Sequence, residues 1–185
     1  MSAWLRTWVA GLLAGLLGSS AWADTGTNEL SVSKTFQVKA TVARGCLLGS
    51  GASDVTSYGT INFGQVSTLP ADVLVTSTVG AGSIQVQCTP GSALTIGIST
   101  GANTSNVAGG RYLAKSSETL RYQLFQNSGT TIWGDGSNGA TAMSLTVPAG
   151  AATLTYPVYA RLFAVTPMPS AGIYTDTVTV TVTFN

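Results

Sequence analysis

The stretch Gly172-Ile173-Tyr174-Thr175-Asp176-Thr177-Val178-Thr179-Val180-Thr181-Val182-Thr183-Phe184, followed by Asn185, decides the fold. Val178, Val180, Val182 and Phe184 alternate with Thr177, Thr179, Thr181 and Thr183, so an extended chain here is apolar on one face and hydroxyl-bearing on the other. Such a strand packs one face on a core. As the last strand of the sequence it is expected to keep one edge without a neighbour, and an uncovered apolar edge is a template for pairing with another chain.

Upstream, strand-like segments recur at short intervals: 36–42, 60–63, 73–79, 83–88, 94–99, 120–126, 142–147 and 154–163. Turn residues separate them, among them Gly49-Ser50-Gly51, Pro90-Gly91, Asn127-Ser128-Gly129, Gly134-Asp135-Gly136 and Pro148-Ala149-Gly150. Short strands with frequent turn signals predict an all-β sandwich. No sustained helical period occurs beyond the amino terminus, and no linker divides the rest of the chain.

The amino terminus predicts export. Arg6 precedes the apolar run 9–17, and Ala21-Trp22-Ala23 supplies the small residues a signal peptidase reads, so residues 1–23 are a predicted signal peptide cleaved after Ala23. The run is too short for a spanning helix of about 20 residues, and no membrane insertion is expected. Loss of Arg6 leaves seven basic against seven acidic residues. This neutrality, without a basic cluster in the sequence, gives nucleic acid no electrostatic footprint. Charged residues make up only 8% of the chain, while apolar ones reach 44%; that balance suits a protein living within an assembly.

Cys46 and Cys88 are the two cysteines. In an oxidising compartment an isolated pair reads most simply as a disulfide, stabilising by about 4 kcal/mol in the chain-entropy account. The chain has no histidine, and the spacing is far from a CxxC motif, so no metal, cofactor or redox centre is expected.

Catalytic motifs are equally sparse, and no enzymatic activity is expected. Gly134-Asp135-Gly136-Ser137-Asn138-Gly139 matches GxGxxG, but it lies between strands and lacks the helix that would receive a phosphate. Without histidine the usual serine triad cannot be assembled. Asp135 and Asp176 are the carboxylates that could meet in space, with nothing to mark them as an acid/base pair. Tyr122, Phe125, Trp133, Tyr156, Tyr159 and Phe163 could line a sugar-binding face, although aromatics on alternating strands more commonly serve a core.

Residues 24–35 stand apart. They are polar, yet Leu30, Val32, Phe36 and Val38 continue one alternating phase. They read either as a long first strand or frayed terminus, or as a detachable strand for another sheet.

The segment 36–42 with Cys46, then Tyr58-Gly59-Thr60-Ile61-Asn62-Phe63-Gly64, Ile84-Gln85-Val86-Gln87-Cys88-Thr89, Leu120-Arg121-Tyr122-Gln123-Leu124-Phe125, Trp133-Gly134-Asp135-Gly136, Pro157-Val158-Tyr159-Ala160-Arg161 and the closing Ala171 to Val178 together resemble the spore coat protein U domain family. That family includes the Csu-type subunits of archaic chaperone–usher pili. The resemblance implies an incomplete immunoglobulin-like β-sandwich lacking its last strand and completed by a donor strand. It also implies partners: a periplasmic pilus chaperone, an outer-membrane usher, and other copies or related pilus subunits, with export through the periplasm to the cell surface and a role in adhesion and biofilm formation. Chaperone–pilin complementation is a known mode of β-strand addition.

On this reading residues 24–35 are a donor-strand extension and 36–185 the sandwich. The alternating phase selects Leu30, Val32 and Phe36 as donor anchors. Val38, Ala40 and Val42, with Val178, Val180, Val182 and Phe184, form the acceptor groove. A shaft or minor subunit is expected rather than a tip, since a tip adhesin ordinarily needs a receptor-binding domain ahead of the pilin domain. A secreted coat or matrix protein of the same fold, or a lectin-like module, are the alternatives.

Overall fold

The computed structural model describes Ser31 and residues 33–185. The predicted signal peptide and the anchors Leu30 and Val32 lie outside these residues. The chain divides into two units, Met1–Thr41 and Val42–Asn185. In the first, the described residues form no strand, and Phe36 and Val38 are 86% and 85% exposed. The sequence predicted a strand over 36–42. Its alternation is real, but no ladder forms there among the described residues, and a lone extended segment has nothing to satisfy its backbone groups except water.

The second unit is all-β. Its strands are β1 (Cys46–Leu48), β2 (Val73–Thr76), β3 (Ile84–Cys88), β4 (Ala93–Ile98), β5 (Arg111–Lys115), β6 (Glu118–Gln126), β7 (Thr131–Ile132), β8 (Met143–Thr146), β9 (Leu154–Tyr156), β10 (Tyr159–Leu162) and β11 (Val180–Phe184). They pair antiparallel in three groups: β1–β3–β9, β2–β10–β6–β5 with β7 also on β6, and β11–β4–β8. The expected strand over 154–163 is split, because Pro157 supplies no N–H and its flank breaks the ladder between β9 and β10.

One core joins the groups. Ile84 and Val86 of β3, Leu94, Ile96 and Ile98 of β4, Leu120, Tyr122 and Leu124 of β6, and Ala160 and Leu162 of β10 all bury into it. The alternation along each strand sends these residues to one side, which is what a sandwich requires. At the carboxyl end Val178, Val180 and Val182 are half-buried against the core while the intervening threonines are exposed. The period-2 reading of this stretch therefore holds, although its first half is not regular strand.

Cys46 and Cys88 face each other across the β1–β3 pair and are joined by a disulfide. The bond ties the first strand of the unit to the inner strand of its sheet, as the cysteine count anticipated.

The largest buried polar group was not anticipated. Arg111 is fully buried at the start of β5, and its guanidinium donates to the backbone carbonyls of Ser99 at 2.7 Å and Trp133 at 2.8 Å and to Gln123 Oε1 at 2.7 Å. Burial lowers its pKa from the ordinary arginine value, and the field of Tyr122, Asp176 and Asp135 opposes that shift. Trp133, also fully buried, donates its indole N–H to the carbonyl of Ile96 at 2.9 Å. Together they pin β4 to the β5–β6 hairpin, and the polar heads of both are hydrogen-bonded.

A candidate strand-accepting groove

β11 pairs with β4 along one edge, in register from Val180 opposite Ile98 to Phe184 opposite Leu94. Its other edge has no strand beside it among the described residues. Ahead of β11 the chain crosses to a different sheet, where Thr175 exchanges two backbone hydrogen bonds with Ala114 of β5. The segment 168–180 thus runs along the border between two sheets.

Facing it is the segment 55–67. Ile61 and Phe63 turn toward the core while Thr60 and Asn62 are exposed, an extended alternation without a ladder partner. The backbone of residues 60–67 makes no hydrogen bond to another segment's backbone among the described residues. Between the two segments lies a groove made of two adjoining hollows of about 810 and 580 Å³. Both hollows share Thr60, Ile61, Phe63, Leu113 and Asp176. The floor is apolar, supplied by Leu113, Leu120 and Leu162 at one end and by Ile98, Tyr122, Leu124 and Val158 at the other. It is an open slot with apolar depth and, along residues 60–67, unpaired backbone on one wall.

Two carboxylates, Asp176 and Glu118, hold the slot's carboxyl-terminal wall. Tyr122 donates its hydroxyl to Asp176 Oδ2 at 2.6 Å, and burial followed by this hydrogen bond pushes the phenol pKa well above its usual value. Asp176 Oδ1 accepts from the Ala102 N–H at 2.8 Å and from the Thr177 N–H at 2.9 Å. Gly101 permits the approach: its φ is +85°, and a Cβ there would sit 2.1 Å from Asp176 Oδ2. At the far end, Glu118 accepts from the Ser170 hydroxyl, the Ser170 N–H at 2.8 Å, Lys115 Nζ at 3.1 Å and the Tyr174 hydroxyl at 3.1 Å. The two Ser170 hydrogen bonds, then Lys115, hold its carboxyl down to about 2.

Of the acceptor residues expected from sequence, Val178 and Val180 line the groove. Val182 packs half-buried against the core, and Phe184, 41% exposed, closes the strand beyond the groove's end. Val42 is 84% exposed and is not among the lining residues; Val38 and Ala40, like Phe36, are exposed residues of the first unit. Sequence reasoning missed the opposite wall, Ile61 and Phe63, and the floor residue Leu113. The signal is present in the alternation of Thr60-Ile61-Asn62-Phe63, which the sequence offers as one more strand-like segment.

The remaining motifs are structural. Asp135 Oδ1 accepts from the Ser137 N–H and hydroxyl and from the Asn138 N–H, and Asn138 donates to the Ile98 carbonyl, so the GxGxxG loop closes on itself and on β4. Asp176 is engaged at the groove instead. Among the described residues no cluster of three His, Cys, Asp or Glu is placed to hold a metal, and no helix is long and apolar enough to cross a membrane.

Residues 32–181 match the model of the Spore Coat Protein U domain family. No curated protein matches the sequence. Among solved structures, the chain is similar to one in the CsuC–CsuE chaperone–tip adhesion subunit pre-assembly complex from archaic chaperone–usher Csu pili of Acinetobacter baumannii. Identity there is 26%, over 77% of this chain and 40% of that one, with a TM-score of 0.47. A chain of a chaperone–tip adhesin complex of CFA/I fimbriae is 19% identical over 76% of this chain and 42% of that one, with a TM-score of 0.41. The chain thus spans about two fifths of the length of either.

Proposed function

Because the chain belongs to the Spore Coat Protein U domain family, we propose that it is a structural subunit of an archaic chaperone–usher pilus, polymerising by donor-strand complementation. The observation that carries this reading is the groove between residues 55–67 and 168–180, apolar at its floor and walled on one side by residues 60–67, whose backbone has no ladder partner among the described residues. A strand laid into it gains main-chain hydrogen bonds at its edges and buries alternate side chains.

The donor is the amino-terminal segment of another copy or of a related subunit. Leu30, Val32 and Phe36 are its anchors, each contributing about 1.5–3 kcal/mol of burial. The exposure of Phe36 fits a side chain that finds its pocket on another molecule. Donor segment and acceptor groove are different surfaces, so the contact is heterologous and extends into a filament instead of closing. Before assembly a periplasmic chaperone fills the groove, and an outer-membrane usher exchanges that strand for the next subunit's. The resulting fibre stands at the cell surface and supports adhesion and biofilm formation.

Replacing Leu30 and Val32 together with Asp tests the donor assignment, since two carboxylates would be forced into the neighbour's core without partners. The variant should still co-purify with the chaperone and should form no fibres by electron microscopy. Normal fibres would contradict the assignment.

A further inference from the structure

The six aromatics with sugar-face potential divide between two environments. Tyr122 and Trp133 are buried in the core and Tyr156 packs half-buried against it, whereas Phe125, Tyr159 and Phe163 are half-buried without joining that core. β6 and β10 explain the division by register. Tyr122, Leu124, Ala160 and Leu162 point inward, so Arg121 and Phe125 of β6, Tyr159 and Arg161 of β10, and Phe163 just beyond it take the outer face.

Two arginines that are far apart in sequence meet there. The Arg121 guanidinium lies 4.0 Å from the centre of the Phe163 ring; that of Arg161 lies 5.2 Å from Phe125 and 5.9 Å from Phe163. Stacking on aromatic faces fixes planar guanidinium groups while leaving their N–H edges outward. Neutralisation is incomplete. The nearby carboxylate, Asp72, has its Oδ1 committed to the Ala164 N–H at 2.9 Å, and its Oδ2 stands 3.9 Å from Arg161 Nε. That nitrogen is enclosed and has no hydrogen-bond acceptor. Two cations against one committed anion leave the patch positive on a chain that is otherwise nearly neutral. Beside it, Leu74 on β2, directly opposite Arg161, is 69% exposed.

We propose that this outer sheet face binds a carboxylate-bearing polysaccharide, a polyuronate, with Arg121 and Arg161 taking carboxylates by their free N–H edges and Leu74 and Tyr159 offering apolar contact to the sugar rings. Charge complementarity favours this occupant: planar guanidinium forks suit carboxylates, and two such cations beside exposed apolar side chains suit an acidic sugar polymer. The face is separate from the groove, whose walls contain none of these residues.

The test is binding of the full exported chain to polygalacturonate, with dextran of similar length as the uncharged comparison, at low and at moderate salt. Binding to polygalacturonate alone is expected, weakening as salt rises. Arg121→Ala/Arg161→Ala should lose tenfold or more in affinity. Arg121→Ala by itself changes an exposed side chain and should lose several-fold with an unchanged melting temperature, so the test survives if the double variant folds poorly. Equal binding of dextran, absence of polygalacturonate binding, or wild-type affinity in Arg121→Ala would overturn the proposal.

Discussion

The Tyr122 hydroxyl donates to Asp176 Oδ2 at 2.6 Å, tying the floor of the groove to its carboxyl-terminal wall. The bond reaches from the middle of β6 to the segment ahead of β11. It fixes the wall's position before any strand arrives, and the Phe63 ring, edge-on to Tyr122 with centroids 6.3 Å apart, braces the opposite wall on the same residue.

Removing that bond should loosen the slot without dismantling the sandwich. Tyr122→Phe keeps the ring and leaves a carboxylate with its two backbone donors, for an expected loss of about 1.5–3 kcal/mol. Asp176→Ala should cost more, because the Ala102 and Thr177 N–H groups lose their acceptor as well. Urea denaturation of the strand-completed subunit measures both, and an equal cost for the two variants would contradict this ranking.

The Cys46–Cys88 bond spans 42 residues of sequence and should contribute about 4 kcal/mol. Thiol titration of the exported, non-reduced protein should find no reactive thiol until it is denatured and reduced. The Cys46→Ala/Cys88→Ala variant should shift its urea midpoint down accordingly.

Arg111 should tolerate no short replacement. Arg111→Ala strands the Ser99 and Trp133 carbonyls in the core, while the Gln123 amide oxygen keeps only the Leu124 N–H, and each unsatisfied acceptor costs about 1–3 kcal/mol. A soluble yield near that of the unaltered protein, with an unchanged melting temperature, would contradict the network's role.

Acid should weaken the far end of the wall through Glu118. Its carboxyl is held at about 2 against an ordinary value of 4.5, so its contribution is complete above pH 4.5 and disappears as pH falls toward 2. Melting temperature should therefore drop more steeply between these limits in the unaltered protein than in Glu118→Gln. Parallel slopes would show that the Ser170 and Lys115 contacts carry no net stability.

Much of this architecture is legible in period-2 alternation. Val178, Val180 and Val182 face the core as their spacing requires, and Ile84, Val86 and Cys88 do likewise. Alternation reports a face, however, and carries no information about whether a ladder partner exists. Residues 36–42 and 60–63 alternate as cleanly as β3, yet neither forms a strand, because hydrogen-bond partners are a property of tertiary neighbours. The shorter β1, β5 and β7 escaped notice for the converse reason: Arg111-Tyr112-Leu113-Ala114-Lys115 shows no apolar period, and its strand is imposed by pairing with β6. The disulfide was legible because two cysteines allow one pairing. The Tyr122–Asp176 contact and the Arg121–Arg161 patch were not, since each joins residues 40 or more positions apart with no local signature.

The most direct measurement adds a synthetic peptide of residues 24–38 to the isolated mature subunit and follows its melting temperature. At a hundredfold excess over the dissociation constant, occupancy stabilises by about 2.7 kcal/mol, a rise of roughly 5–10 °C for a domain of this size. The same peptide carrying Leu30→Asp and Val32→Asp should give no rise. If the native peptide at saturating concentration leaves the melting temperature unchanged, the groove between residues 55–67 and 168–180 does not accept this strand, and the polymerisation account is contradicted.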